Sequence, residues 1–407
     1  MPKAKAPATK PKSMPAPVPA SGGMIVLAGA IIALAGLAVY ANSLNAPFVF
    51  DDQAAITNNP SIKHLWPLWN VLFPPPDIVS GAMARPTENL SLAVNYALGG
   101  LNVRGYHEFN LLVHILAAWT LFGFIRRTLN LPLVRARFGF AALAPAFCIS
   151  LLWTVHPLQT ETVTCVVQRN ESLMALFYLL TLYCFVRSTQ SPHLQGWKIC
   201  AVVACALGMA SKEVMVSAPL MVLLYDRAFV AGTLREALRL RWKFHATLAA
   251  TWPILGGLVL RYHQRGGTVG FGLGVAWWAY AFKQCEAVTH YLSLCFWPHP
   301  LVVDYGSDVV TNFWAVAPEA LLIAFLLGGT LYARWRHPMW GFLGAWFFLV
   351  LAPSSSVLPL ATQTMAEHRM YLPLAAVVTL VVLWAERNFG KRALVGALVM
   401  AVAFGAL

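Results

Sequence analysis

The stretch from Met24 to Ala41 reads MIVLAGAIIALAGLAVYA and contains no charged side chain. A helix of this length, extended by a few flanking residues, crosses the hydrocarbon core of a bilayer. A short polar segment follows it and leads to FVFDD, residues 48–52, which ends in two adjacent carboxylates. The sequence therefore predicts a first transmembrane helix, with Asp51 and Asp52 placed just beyond its end.

The composition of the whole chain agrees with this prediction. Of its 407 residues, 58% are hydrophobic and 11% are charged, whereas a soluble globular protein carries about 25% charged residues. Further apolar stretches recur along the chain, and the 15 Trp and 12 Tyr suit the two membrane interfaces. We predict an all-α polytopic membrane protein that lies in an inner, plasma or ER-like membrane.

The net charge of +13 does not indicate nucleic-acid binding. Its Lys and Arg residues lie mainly in short clusters between apolar runs, where they set topology and meet anionic lipid headgroups. The seven cysteines lie in or beside apolar segments without CxxC or Cys/His metal spacing. We interpret them as small core residues and predict neither a disulfide framework nor a zinc site.

The chain divides into a tail and one membrane domain. Residues 1–21 are basic and rich in Pro and Ala, which predicts a disordered tail, and their lysines place the N-terminus in the cytoplasm. Residues 22–407 form the membrane domain, with a large first outer loop at 42–106 that carries an amphipathic surface helix near Glu88 to Leu98. Keeping the later basic clusters cytoplasmic requires roughly eleven spans, with residues 275–297 as a re-entrant or interfacial helix and not a full span.

With this number of spans, charged side chains from six loops lie at the non-cytoplasmic face of the membrane. Such residues mark a polar cavity or substrate path more often than isolated headgroup contacts. They are Asp51, Asp52, Arg85, His156, Glu161, Arg169, Lys212, Glu213, His263, Asp304, Glu367, His368 and Arg369.

Six stretches together give the sequence a specific resemblance. It is similar to the membrane half of the transmembrane-and-tetratricopeptide-repeat O-mannosyltransferases and, more broadly, to the GT-C glycosyltransferases. The stretches are FVFDD (48–52), RPTENLSLAVNYALGGLNVRGYHEFNLLVHIL (85–116), HPLQTETVTCVVQRNESLMALFYLLTLY (156–183), SKEVMVSAPLMVLLYD (211–226), WPHPLVVDY (297–305) and EHRMYLPL (367–374). The family's tetratricopeptide repeats are expected to be absent, because no 34-residue period is visible.

The resemblance implies a GT-C fold and an inverting transfer of sugar from a polyprenyl-phosphate carrier to a hydroxyl of a protein or glycan. That reaction needs a base for the acceptor and cations for the leaving phosphate. Asp51 is the predicted base, and Asp52 orients it or binds the sugar, although the two roles could be exchanged. Lys212 is the first phosphate candidate. The further donor-binding candidates are Arg369, His368, Arg85 and Tyr371.

Other polar residues of this face have open roles. Arg169 is predicted to form a structural ion pair with Glu161. His107, Asn110 and His114 share one helical face, where hydrogen bonding between helices is favoured over metal binding. Seven residues are cavity or structural candidates: Glu213, His156, Glu161, Arg169, His263, Asp304 and Glu367. A divalent cation beside the acids is possible, but no third carboxylate is committed to one, and no other cofactor is implied.

Two functions of other classes remain open from the sequence. A flippase or transporter for lipid-linked sugars would also carry polar groups inside a helical bundle, but usually with internal repeats and binding groups near mid-membrane. A membrane scaffold would use the acids only to bind a partner. The gathering of charges at one face and the lack of a detectable repeat favour the enzyme.

Overall fold

The computed structural model describes residues 21–75, 83–139, 141–191, 193–262, 270, 274–356, 359–360 and 362–407. The predicted tail falls outside these residues, apart from Ser21. The described chain is built from α-helices joined by short turns. The helices are α1 (Gly22–Tyr40), α2 (Leu68–Leu72), α3 (Pro86–Gly99), α4 (Val103–Leu129), α5 (Pro132–Phe138), α6 (Leu143–Val155), α7 (Thr160–Thr164), α8 (Arg169–Gln190), α9 (Leu194–Met209), α10 (Ala218–Tyr225), α11 (Leu234–Ala249), α12 (Trp252–Arg261), α13 (Trp277–Leu294), α14 (Ala317–Arg336), α15 (Pro338–Leu351), α16 (Pro373–Phe389) and α17 (Lys391–Ala406).

The prediction of an integral membrane protein is confirmed, but the number of long apolar helices is smaller than the predicted count of spans. Among the described residues, five helical segments are long and apolar enough to cross a bilayer: Gly22–Asn45, Val103–Leu129, Val166–Gln190, Glu213–Ala231 and Phe313–Arg336. The pair α5 and α6, bent by 98°, would make a sixth. Helices α9 and α15 are apolar but shorter than these segments.

The predicted exception at residues 275–297 is a continuous helix, α13, which is not among the long apolar segments of the described chain. Its charged residues Lys283 and Glu286 form an ion pair with 2.9 Å between Nζ and Oε1. This composition agrees with the prediction that α13 is no ordinary span. Whether it re-enters the membrane stays a prediction.

The centre of the bundle is formed by α4, α6, α8 and the start of α16. His114 of α4 connects three of these elements, because Nδ1 lies 2.7 Å from the Tyr371 hydroxyl and Nε2 lies 3.0 Å from the Thr154 carbonyl oxygen. The Trp153 indole donates to the Tyr371 carbonyl oxygen. The predicted hydrogen bonding between helices is confirmed here, and it fixes how the helices meet at the end that carries the acids.

The amphipathic helix predicted in the first outer loop is α3, but its polar face packs on protein. Asn89 and Asn95 are buried, whereas Leu98 is 83% exposed. The Asn89 amide donates to the Val71 carbonyl oxygen at 2.6 Å, and the Asn95 amide donates to the Gly105 carbonyl oxygen. The polar residues of α3 thus pack on protein together with Leu92 and Ala93, and only a narrow strip with Val94 and Leu98 is left exposed.

We expect Gly341→Ala to destabilise the hairpin of α14 and α15. A Cβ atom at Gly341 would contact the backbone nitrogen and Cα of Arg334, neither of which can move without shifting a helix. Such overpacking lowers the free energy of unfolding by about 1–3 kcal/mol. Thermal unfolding of the purified protein in detergent measures the change. Gly328→Ala in α14 is the control, because a Cβ atom there meets nothing within 4 Å; equal melting of the two variants would contradict the contact.

Candidate functional site

The two adjacent acids of the first outer loop lie in different surroundings. Asp51 is exposed, whereas Asp52 is 1% exposed. The residue before them, Phe50, has φ +47°, a left-handed conformation that a bulky side chain adopts only at a cost. This turn directs one carboxylate to the surface and the next into the protein.

Asp52 is held by backbone N–H groups. Oδ1 accepts from the Val167 N–H at 2.7 Å and Oδ2 accepts from the Val49 N–H at 3.2 Å. Burial raises the pKa of Asp52, and these hydrogen bonds and the nearby His107 oppose the rise. Because both oxygens are engaged, Asp52 fixes the loop against the start of α8 and leaves Asp51 as the accessible acid.

Lys212 lies among carboxylates. It is 6% exposed and forms an ion pair with Glu171 of α8. Burial raises the pKa of Glu88 and the positive charge of Lys212 is one of the effects that oppose this rise, whereas His368, and after it Lys212, lowers the pKa of Glu161, so Lys212 lies near three acids. The sequence predicts Lys212 as a phosphate-binding residue, and in the structure its partner is the carboxylate of Glu171.

Glu88 of α3 is a fully buried acid beside this pair. Its Oε2 lies 3.5 Å from Nη1 of Arg85, and its Oε1 accepts from the Asn170 amide at 3.4 Å. Burial is the main cause of the raised pKa of Glu88, and Arg85 opposes the rise most strongly. The donor-binding candidate Arg85 is thus part of the acidic cluster.

Glu161 is bound by His368 and not by Arg169, so the predicted ion pair is wrong. Its Oε1 lies 2.6 Å from Nδ1 of His368, and its Oε2 accepts from the backbone N–H of the same residue at 2.8 Å. The pKa of Glu161 is lowered: burial would raise it, but the charge and hydrogen bonds of His368 outweigh that effect. Glu161 is therefore a carboxylate that joins α7 to the 3₁₀ turn Glu367–Met370.

Arg169 is fully buried on neutral groups. Its guanidinium donates to Asn110 Oδ1 and Asn95 Oδ1, each at 2.7 Å, and to the Tyr106 carbonyl oxygen at 3.0 Å. The Phe109 ring lies 4.4 Å from the guanidinium carbon. These amide and carbonyl oxygens satisfy the buried guanidinium without a carboxylate, so Arg169 needs no partner such as Glu161.

Arg369 is also buried, and its contacts are oxygen atoms without formal charge. Nη1 donates to the carbonyl oxygens of Ser354 and Thr364 at 3.0 and 3.1 Å, and Nη2 donates to that of Gln363 at 2.6 Å. Within the described chain it has no salt bridge. Tyr371, a donor-binding candidate from the sequence, is fully buried against His114.

The remaining candidates divide between scaffold and surface. Glu367 accepts from the Val302 N–H and the Tyr305 hydroxyl, each at 2.7 Å, and burial raises its pKa. Asp304 is exposed and accepts from the Gly306 N–H within a turn. Glu213 is partly exposed, and His263 lies outside the described residues.

His156 is a buried neutral imidazole at the end of α6. Its Nδ1 accepts from the Leu158 N–H at 3.2 Å, which leaves Nε2–H to donate to the Cys295 carbonyl oxygen at 3.1 Å. Burial lowers the pKa of His156 to about 4. The residue therefore caps a turn and does not supply a proton near neutral pH.

The acids do not assemble into a metal-binding group in the described part of the chain, where no set of three His, Cys, Asp or Glu side chains converges. The carboxylates are instead paired with Lys212, Arg85, His368 and backbone N–H groups. The sequence singled out neither Glu88 nor Glu171 as a site residue. In the sequence, each of these glutamates lies next to an asparagine in the first turn of a helix. This pattern alone does not indicate a site, because only the folded structure places Lys212 near both acids.

Comparison with known families and proteins supports the resemblance drawn from the sequence. Residues 92–259 match the family described as dolichyl-phosphate-mannose-protein mannosyltransferase. The chain is 34% identical over 207 residues to protein O-mannosyl-transferase Tmtc1 of Drosophila melanogaster and 32% identical over 206 residues to TMTC2 of Mus musculus. Each match covers 47% of this chain but 23% of the relative. The predicted resemblance to lipid-dependent glycosyltransferases is thus confirmed, over a part of those proteins.

The fold has a solved counterpart. The crystal structure of ArnT from Cupriavidus metallidurans bound to undecaprenyl phosphate superposes with a TM-score of 0.51 at 15% identity, over 93% of this chain and 63% of that one. The apo structure gives 0.50. The similarity extends over nearly the whole chain, so the predicted GT-C architecture is supported at the level of the fold.

We expect part of the acid sensitivity of the protein to come from His156. The unfolded chain binds a proton at this residue below pH of about 6.5, but the folded chain does so only below about 4, so stability falls as the pH falls through this window. The contribution reaches about 3 kcal/mol at the acid end. Unfolding measured from pH 7 to 4 should show a shallower loss for His156→Gln. His64→Gln, at an exposed position, is the control, and parallel curves for wild type and His156→Gln would refute the assignment.

Proposed function

We propose that this chain, which is similar over residues 92–259 to the dolichyl-phosphate-mannose-protein mannosyltransferases, moves a sugar from a polyprenyl-phosphate carrier to an acceptor hydroxyl. The observation that carries the proposal is the arrangement of the acidic pair. One carboxylate, Asp51, is free at the surface, and its neighbour Asp52 is anchored by two backbone N–H groups. A general base needs both access to the acceptor and a fixed position.

In this reaction Asp51 takes the proton of the acceptor hydroxyl as the acceptor oxygen attacks the anomeric carbon. The bond from that carbon to the carrier's phosphate oxygen breaks, and the carrier leaves as a polyprenyl phosphate with both bonding electrons. Attack from the side opposite the phosphate inverts the anomeric configuration. Asp52 is a positioning residue, because its bonds to Val49 and Val167 hold the turn that presents Asp51.

The leaving phosphate gains negative charge and needs cations. Arg369 suits this role, because its buried guanidinium contacts carbonyl and hydroxyl oxygens and no carboxylate in the described chain. Lys212 would bind the phosphate by exchanging Glu171 for it. His368 and Arg85 lie beside these residues but are already bound to Glu161 and Glu88. They would therefore contribute to the electrostatic potential at the phosphate more than contact the carrier.

The relatives support a proposal for the donor and the acceptor. ArnT was crystallised with undecaprenyl phosphate, and the relatives in animals are named protein O-mannosyl-transferases. We infer a polyprenyl-phosphate-linked mannose as donor and a protein hydroxyl as acceptor. The proposal keeps the N-terminus in the cytoplasm, the acids at the outer face and about eleven passages through the membrane, several of them made by short helices.

We expect Asp51→Asn to abolish sugar transfer without unfolding the protein. Loss of a general base lowers the rate by about 100-fold or more, and the side chain is exposed, so stability should change little. Transfer by purified protein in nanodiscs, supplied with polyprenyl-phosphate mannose and an acceptor peptide, measures the effect. Asp308→Asn is the matched control, because Asp308 is exposed and outside the acidic cluster.

Three outcomes would overturn this assignment. Full activity of Asp51→Asn would remove the proposed base and favour Asp52 in its place if Asp52→Asn is inactive while folded. No transfer by the wild type with any donor, combined with movement of lipid-linked sugar between leaflets, would instead support the flippase. Binding of a partner without transfer or movement of the lipid-linked sugar would support the role of a membrane scaffold.

A second experiment separates the two roles open to Lys212. The single variant Lys212→Gln leaves Glu171 buried without its partner, which destabilises a protein by about 3–5 kcal/mol. The double variant Lys212→Gln/Glu171→Gln removes both charges and should fold. If Lys212 contacts the carrier phosphate, the double variant has a KM for the donor raised about tenfold with little change in melting temperature. An unchanged KM would reduce the pair to a structural role.

A further inference from the structure

A narrow apolar cleft lies at the end of the bundle opposite the acids. It is bounded by the last turns of α4, by α5, and by α15 and α16. Aromatic and aliphatic side chains make up nearly all of its lining, among them Phe124, Leu129, Phe138, Trp346 and Leu383. We call this space the far cleft.

The far cleft is separated from the acidic cluster by most of the length of α4. His107, near the start of this helix, acts on Asp52, whereas Leu129, its last residue, lines the cleft. Helix α4 has 27 residues, which at 1.5 Å per residue is about 40 Å. Helix α16 begins beside the turn Glu367–Met370 and lines the cleft from Ala375 to Leu383. The part of the cleft beside α5 and the last turn of α4 therefore lies far from the residues proposed for the transfer.

Cationic and donor groups gather on one aromatic residue of the cleft. The guanidinium carbons of Arg137 and Arg387 each lie 5.8 Å from the centroid of the Phe138 ring, although they come from different helices. Nη2 of Arg137 also donates to Nδ1 of His337 at 3.3 Å. All three polar side chains are exposed, so they can reach a ligand outside the protein.

This group lacks an acid. In the described residues neither Arg137 nor Arg387 has a carboxylate within salt-bridge distance. Glu386, next to Arg387 along α16, has an Oε2 atom without a hydrogen-bond partner and does not turn to the arginine. Two guanidinium groups therefore lie around one ring, and no carboxylate of the described chain neutralises either of them. Elsewhere in the chain, by contrast, Arg241 has Asp226 and Arg104 has Glu108.

We propose that the far cleft and its arginines bind one anionic phospholipid of the bilayer. The phosphate contacts the guanidinium groups of Arg137 and Arg387, and one acyl chain enters the cleft past Phe138. An amphipathic ligand is required, because the cationic group and the apolar space share the same wall. A free phosphate ion would leave the cleft unfilled, and a neutral lipid would leave the two positive charges uncompensated.

Lipid binding to the purified full chain tests the proposal, with dioleoylphosphatidylglycerol as the anionic probe and dioleoylphosphatidylcholine as the zwitterionic one. Native mass spectrometry in detergent gives a Kd for each lipid. The variant Arg137→Gln/Arg387→Gln should weaken binding of phosphatidylglycerol about tenfold. The control Arg235→Gln/Lys243→Gln removes two exposed cations of α11 and should change the Kd for phosphatidylglycerol less than twofold. Thermal unfolding confirms that both double variants are folded.

Three results would overturn the proposal. Equal weakening by both double variants would assign the binding to general surface charge. Phosphatidylcholine bound as tightly as phosphatidylglycerol would remove the role of the arginines. Dihexanoylphosphatidylglycerol bound as tightly as the dioleoyl lipid would remove the role of the cleft, because its six-carbon chains bury far less apolar surface.

Discussion

The burial of Arg169 on amide and carbonyl oxygens is the constraint on which the arrangement of this end of the bundle depends. Its guanidinium joins the start of α8 to Asn95 of α3 and Asn110 of α4. Arg169 has no carboxylate partner in the described chain, and the acids on either side of it in the sequence are bound elsewhere: Glu161 to His368 and Glu171 to Lys212.

The site that results separates fixed charges from an accessible one. Glu88, Glu161 and Asp52 are buried and bound, so their positions follow from the packing of α3, α7 and the first outer loop. Asp51 alone of the acidic pair is exposed. This division suits a reaction between a membrane-bound donor and an acceptor from outside. The buried charged residues have fixed positions and can orient the donor, while the exposed base remains accessible to the acceptor.

Features that depend on local apolar length were predictable from the sequence. The first span, expected from Met24 to Ala41, is a helix over Gly22–Tyr40, and the acids follow it as expected. The partners of the charged residues were not predictable, because Lys212 and Glu171 are brought together by packing between helices far apart in the chain. The burial of Asn89 and Asn95 was missed for a related reason. An amphipathic pattern identifies two faces of a helix, but it does not say whether protein or lipid lies against each.

The hydrogen bond from the Val167 N–H to Asp52 also links the stability of two segments. This amide cannot exchange with solvent while the carboxylate covers it, and the carboxylate cannot leave without releasing the loop that carries Asp51. Opening of the first outer loop and fraying of the start of α8 are thus one event with one free energy. Deuterium uptake at Val167 therefore reports how often the loop that presents the base is disassembled.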